Sequence, residues 1–327
     1  MKRFVAIATS IFLFFSFVHL AQISQADSQN FEQDNCHSRL LTKGEGCFVY
    51  QFKDRKTFIP VYYYLPNKLN SNTQIVFAIS GEKRNARDYR NDWRNIYADS
   101  QPSLILLAPQ FQQNDFPGYV SYNLGNMFTK SLKRLKSQDQ WAFSDIENIF
   151  DLVNKSEKLK LSTYYIYGHS AGAQFVHRMV IFMPHARIRK AVAAEAGSYT
   201  IPDKYMEYPC GLRKQTGNQL PPVELKTVFS TPMTIILGTK DNKPLSDEHD
   251  TYSCDAKQGS NRLNRGEYFY TQVKRIASSR KENLSWTIKQ VTAAHIVAHT
   301  NPPIEDPMLV SCAALEFFPN LKDINCN

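Results

Sequence analysis

Short apolar runs rich in β-branched and aromatic residues alternate along this chain with longer segments of helical period. That alternation predicts an α/β fold, a mostly parallel sheet with helices on both faces. The strands it predicts cover residues 47–52, 58–65, 74–79, 104–108, 163–167, 190–194, 233–237 and 285–291, the first two forming an antiparallel hairpin. Helices are predicted over 85–97, from the Ser170 turn to just before Pro184, over 267–279 and over 307–318. Another is signalled by Ser144-Asp145-Ile146-Glu147, which reads as a capping box, followed by Ile146, Ile149, Phe150 and Val153 at helical spacing. Residues 197–228 have no strong period and carry Pro202, Pro209, Pro221 and Pro222, so they read as an excursion beside the site.

The first residues do not belong to this pattern. Lys2 and Arg3, an apolar run from about Phe4 to Leu20, and small residues at Ser24 and Ala26 form the three parts of a secretory signal, with cleavage expected after Ala26. An uncleaved anchor is the alternative, since the run approaches the ~17 residues that can cross a bilayer. No later segment is long and apolar enough to do so, and no membrane insertion is expected once the signal is gone. The remaining residues, 27–327, are expected to fold as a single domain, because no repeat, linker or low-complexity tract divides them. A secreted or periplasmic destination fits the six cysteines, all beyond the signal. Pairing sequence neighbours gives Cys36 with Cys47, Cys210 with Cys254 and Cys312 with Cys326; no clustered Cys/His spacing supports a zinc site instead.

The formal charge is +9, of which Lys2 and Arg3 carry two units. The rest is spread along the chain, so no nucleic-acid footprint is indicated, although attraction to an acidic polymer stays open.

The candidate chemistry centres on Gly168-His169-Ser170-Ala171-Gly172. Gly-x-Ser-x-Gly arises by chance in roughly one chain in ten of this length, so the motif alone decides little. Its context decides more: it follows the apolar run Tyr164-Tyr165-Ile166-Tyr167 and opens a helical segment, the strand-turn-helix setting of a nucleophile elbow. A serine needs a base, and the base needs a carboxylate to hold its tautomer. In such a fold the chain order is serine, acid, histidine, and Ser170, Asp241 and His295 supply it, the last two just past predicted strands. Asp247 and Glu195 are rivals for the acid and His299 for the base. His169 and His177, tied to the elbow helix, read as supporting residues. Two amides must face a developing oxyanion; those of Ala171 and of Glu82, in Ser80-Gly81-Glu82-Lys83, are expected to do so. Phe111, Phe116, Tyr119 and Tyr122, on the loop leaving the fourth strand, are candidates to line a substrate pocket or merely to pack that loop down.

Several short segments now point the same way. Lys83-Arg84-Asn85-Ala86 with Tyr89 and Trp93, Ala108-Pro109-Gln110-Phe111, Tyr122-Asn123-Leu124-Gly125-Asn126, Gly168 to Arg178, Ala196-Gly197-Ser198-Tyr199-Thr200 and Tyr208-Pro209-Cys210-Gly211-Leu212 together resemble bacterial α/β-hydrolases of the poly(3-hydroxybutyrate) depolymerase-like esterase type. The resemblance spans most of the chain between about Gln74 and Thr300. It implies an eight-stranded α/β-hydrolase sheet, no metal or organic cofactor, and ester hydrolysis through an acyl-enzyme, with Ser170, Asp241 and His295 on the triad positions. One departure is that relatives usually carry His-Gly at the oxyanion loop where this chain has Ser80-Gly81. The expected partner is an ester substrate, small or polymeric. A serine peptidase on the same scaffold and a non-catalytic secreted binding protein are the competing readings.

Overall fold

The structure, a computed structural model, describes residues 36, 41–52, 55–97, 103–213, 220–245, 255–297, 304–321 and 324–326. The expected signal, residues 1–26, lies outside the described residues.

Eight strands form one sheet: β1 (Gly44–Gln51), β2 (Phe58–Leu65), β3 (Gln74–Ile79), β4 (Leu104–Pro109), β5 (Tyr164–His169), β6 (Ile188–Ala194), β7 (Met233–Gly238) and β8 (Trp286–Val291). Their order is β1-β2-β4-β3-β5-β6-β7-β8. The hairpin β1-β2 and the pair β2-β4 are antiparallel, and every pair from β4 onward is parallel. It is the eight-stranded, mostly parallel sheet that the resemblance implied. Its central strands β4, β5 and β7 are buried at every position, which is why they read as continuous apolar runs rather than as alternating ones.

Helices α1 (Ala86–Tyr97), α2 (Ala142–Ser156), α3 (Ala171–Phe182), α4 (Leu225–Ser230), α5 (Arg262–Ser279) and α6 (Pro307–Phe317) cover the sheet. Two apolar clusters result, one on each face. Phe77, Ile166, Phe175, Val180 and Phe269 belong to the first, and Val76, Trp93, Tyr167, Val310 and Phe317 to the second. Alternate residues of one strand, such as Val76 and Phe77, thus feed opposite cores.

The capping box expected at Ser144 does not form. Helix α2 begins three residues earlier, after Trp141, and Ser144 lies inside the first turn with its Oγ donating to Gln138 O at 2.6 Å. Glu147 turns instead to the β5-β6 corner, where it accepts from the Arg187 amide at 3.1 Å and from Arg187 Nε at 2.7 Å. The apolar face holds as expected: Ile146, Ile149, Phe150 and Val153 are all buried. Helix α5 starts five residues before the expected Glu267, because Asn261 caps it by accepting from the Asn264 amide at 2.8 Å.

Two disulfides join Cys36 to Cys47 and Cys312 to Cys326, as sequence proximity suggested. Cys210 is also disulfide-bonded, and its expected partner Cys254 lies outside the described residues. The first bridge fastens the N-terminal segment to β1 and the second fastens α6 to the chain end.

Candidate active site

Ser170 sits between β5 and α3 with φ 54° and ψ −116°, a strained conformation for a residue with a Cβ. Its amide donates to Ala194 O at 2.9 Å, which pins the turn to the end of β6. The flanking glycines are required by space. A Cβ on Gly168 would lie 2.2 Å from Gly172 O, and one on Gly172 would lie 2.1 Å from Ile79 O. Elbow and β3 end are therefore in backbone contact.

Three further strand ends converge on this turn. His295, beyond β8, brings Nε2 to 3.1 Å from Ser170 Oγ. Glu195, immediately after β6, brings Oε2 to 2.9 Å from His295 Nδ1, and Asp241, just past β7, brings Oδ2 to 3.3 Å from the same nitrogen. The structure thus gathers Ser170, Asp241 and His295 as expected, and it places the rival Glu195 nearer to the ring than Asp241. The other rivals, Asp247 and His299, lie outside the described residues.

The two carboxylates are held differently. Glu195 is 1 % exposed, has φ 52°, and its Oε1 accepts from the Gly238 amide at 2.9 Å. Burial opposes its charge, but hydrogen bonding to His169 and His295 outweighs that and holds its pKa down to about 2. Asp241 faces Arg262 Nη1 at 3.3 Å through its Oδ1. For His295, burial works against the charged ring, while Asp241 and Glu195 outweigh it and raise the imidazole above its ordinary value. His169 lies against it with ring centroids 4.4 Å apart; burial, and then the neighbouring His295, push His169 down to about 4. Its Nδ1 is 2.8 Å from the hydroxyl of Tyr89, a residue of α1 that the resemblance included without a role. His177 is farther along α3, fully buried, with Nδ1 bonded to Ala173 O and Nε2 accepting from the Thr200 amide. Among the described residues, His169, Glu195 and His295 hold metal-type donors within 4.8 Å of one another, but Glu195 Oε2 already bridges the two rings.

The Ser80–Lys83 loop lies beside the Ser170 turn. A Cβ on Gly81 would stand 3.6 Å from Ser170 Cβ, and Glu82 lines the same cleft as Ser170 and His295. Neither the Ala171 nor the Glu82 amide donates to a protein acceptor among the described residues.

The aromatic loop does not line that cleft. Phe111, Phe116 and Tyr122 are 0–1 % exposed, and Phe111 and Tyr122 pack on Phe175 of α3. Tyr122 donates to Ser80 O, and the Arg84 guanidinium lies 3.5 Å from the Tyr122 ring centre while donating to Phe111 O at 2.8 Å. These rings are a buttress that fixes the Ser80–Lys83 loop, so of the two readings the packing one holds. Tyr119 is half-exposed and likewise absent from the cleft wall.

The cleft itself, of about 190 Å³, is bounded by Glu82, Lys83, Asp88, Asp92, Arg262 and Glu305 around Ser170 and His295. A larger, mostly apolar cavity of about 650 Å³, lined by Pro202, Tyr205, Leu225 and Ile276 among others, touches none of these groups. Ser170 and His295 open onto the smaller one.

No family model matches the chain, and no curated protein sequence does. Solved structures do. Poly(aspartic acid) hydrolase-1 from Sphingomonas sp. KT-1 is similar at 35 % identity and a TM-score of 0.72, over 84 % of this chain and 98 % of that one. The poly(3-hydroxybutyrate) depolymerase LpqC of Bordetella parapertussis is similar at 27 % identity and a TM-score of 0.73, over 86 % of this chain and 92 % of that one. The chain belongs to the α/β-hydrolase family of these enzymes. As a serine hydrolase of that family it has the resemblance its short motifs announced. Among the described residues of this α/β-hydrolase, no helix is long and apolar enough to cross a membrane.

Proposed function

We propose that this hydrolase is exported and cleaves carboxylic esters through an acyl-enzyme, with Ser170 as nucleophile and His295 as base. The observation that carries this reading is the unbroken line from Ser170 Oγ through His295 to two carboxylates, 3.1 Å and then 2.9 and 3.3 Å. His295 Nε2 takes the Ser170 proton as Oγ bonds to the ester carbonyl carbon. The tetrahedral oxyanion is met by the Ala171 and Glu82 amides, each worth about 3 kcal/mol in such a site. His295 then gives the proton to the departing alcohol, and a water, deprotonated by the same ring, releases the acid. Asp241 and Glu195 together hold Nδ1–H and stabilise the imidazolium; both follow strand ends in serine–acid–histidine order, and the shorter contact favours Glu195.

Export is supported by the signal-like first residues and by the two disulfides, which form in oxidising compartments. Amide cleavage is the second reading, because the 35 % identical relative acts on poly(aspartic acid), an amide-linked polymer. A fluorophosphonate probe should label the wild type and leave Ser170→Ala unlabelled, and Ser170→Ala should lose roughly 10⁶ in turnover with its circular dichroism unchanged. Hydrolysis of p-nitrophenyl esters of graded length against peptide substrates separates ester from amide. Peptide cleavage without ester cleavage would overturn the choice, and a folded, unlabelled wild type would overturn the catalytic reading altogether.

A further inference from the structure

Three carboxylates crowd the cleft that holds Ser170: Asp88 and Asp92, one turn apart on α1, and Glu305, on the short strand β10 (Ile304–Glu305) that pairs with β9 (Ile296–Val297). Asp88 accepts from Asn85 Nδ2 at 2.8 Å. Glu305 is 6 % exposed, and neither of its carboxylate oxygens has a hydrogen-bond partner among the described residues. The groups that influence it are further acids: burial first, then Asp92 and Asp306, hold it well above the carboxylate range. Burial and Asp88 likewise push Asp92 up to about 6. Of the two cations in the cleft wall, Arg262 is engaged by Asp241, and Lys83 is exposed to solvent.

A buried carboxylate without a partner is costly, and proteins that keep one beside a reactive group commonly use it. Held up in this way Glu305 is the neutral acid, and a cation beside it would favour the carboxylate; the place for that cation opens onto Ser170. We propose that Asp88, Asp92 and Glu305 form a cation subsite, which receives an ammonium or trimethylammonium group of the ester whose carbonyl sits at Ser170. The inference rests on the esterase reading above and names its substrate class. The cleft, smaller than the ~300–1,000 Å³ of most ligand sites, suits a short charged ester. A polyanion such as poly(aspartic acid), the substrate in the relative's name, would meet repulsion on the same wall.

The test compares charged esters with their uncharged carbon isosteres, as two pairs: acetylcholine for the alcohol side, and the methyl ester of trimethylammoniobutyrate for the acyl side. Binding is measured by calorimetry on Ser170→Ala, which separates recognition from turnover, and hydrolysis is measured on the wild type. In one of the pairs the cationic ester should bind about tenfold more tightly than its isostere, and raised salt should erode the difference. Adding Asp92→Asn or Glu305→Gln should bring the ratio towards one; Asp92 is half-buried on a helix, so its variant serves where Glu305→Gln perturbs folding. Equal binding within both pairs, or a ratio that survives both substitutions, overturns the subsite. A charge preference in binding with neither ester hydrolysed supports the subsite and sinks the esterase reading instead.

Discussion

The loops after β6 and β7 each deliver a carboxylate to one imidazole nitrogen, from opposite physical situations. Glu195 reaches it from the interior: a left-handed backbone, full burial and an amide from Gly238 leave its side chain one place to go. Asp241, at 8 % exposure the less buried of the two, reaches it with Arg262 on its other oxygen. The buried acid is placed by geometry and shares its charge between two histidines; the outer acid is placed by an ion pair and spends its charge on one. What the difference teaches is that one ring can be held by two acids fixed in different ways. Glu195 stands 2.9 Å and Asp241 3.3 Å from the same nitrogen, and both raise the His295 pKa.

The comparison breaks most sharply when both acids are neutralised. Glu195→Gln/Asp241→Asn should lower kcat by about 10⁴, the cost of removing the orienting acid from a triad. Either single substitution leaves one anion on Nδ1, so each should cost about 10- to 100-fold. A full loss in Asp241→Asn beside a silent Glu195→Gln would show that only the outer acid works.

Gly238→Ala attacks the inner acid indirectly, since the added Cβ would lie 2.1 Å from Glu195 Oε1 and 2.5 Å from Ala293 O. Overpacking of this kind costs about 1–3 kcal/mol, so a fall in Tm should accompany a kcat loss no smaller than that of Glu195→Gln. An unchanged Tm with full activity would mean the carboxylate is not fixed there.

The pH profile sharpens the comparison further. As the proposed base, His295 must be neutral, so kcat/KM should fall as pH drops through its raised pKa. Taking away either carboxylate removes an influence that raises this pKa, and the acid limb should move to lower pH in both single variants. Arg262→Gln should do the reverse by a smaller amount, because Arg262 lowers the His295 pKa, with a kcat change of only about a few fold. A downward shift in Arg262→Gln would contradict the electrostatic account.

The sheet was legible in the sequence because buried parallel strands must be continuously apolar, and all eight expected runs form strands with ends moved by a few residues at most. The convergence of Ser170, Asp241 and His295 was legible because strand ends carry the loops that meet above a parallel sheet. Other parts were not. Ser144 has capping chemistry, but Trp141 and Gln138 start the turn before it, and a short motif cannot report that competition. The rings at 111–122 share one signal whether they face a ligand or a core, and only packing on Phe175 separates the two. Asp92 and Glu305 are far apart in the chain and belong to no motif, so their meeting at the cleft is a product of topology alone.

The contact between Gly172 and the carbonyls of Ile79 and Ser80 leaves no room for even one added carbon. The Ser170 turn and the Ser80–Lys83 loop are consequently set as a single piece, with tolerance narrower than a methyl group. Any retuning of what this hydrolase accepts has to be written into the outer rim, on α1, β10 and the start of α5, while the reacting core stays as it is.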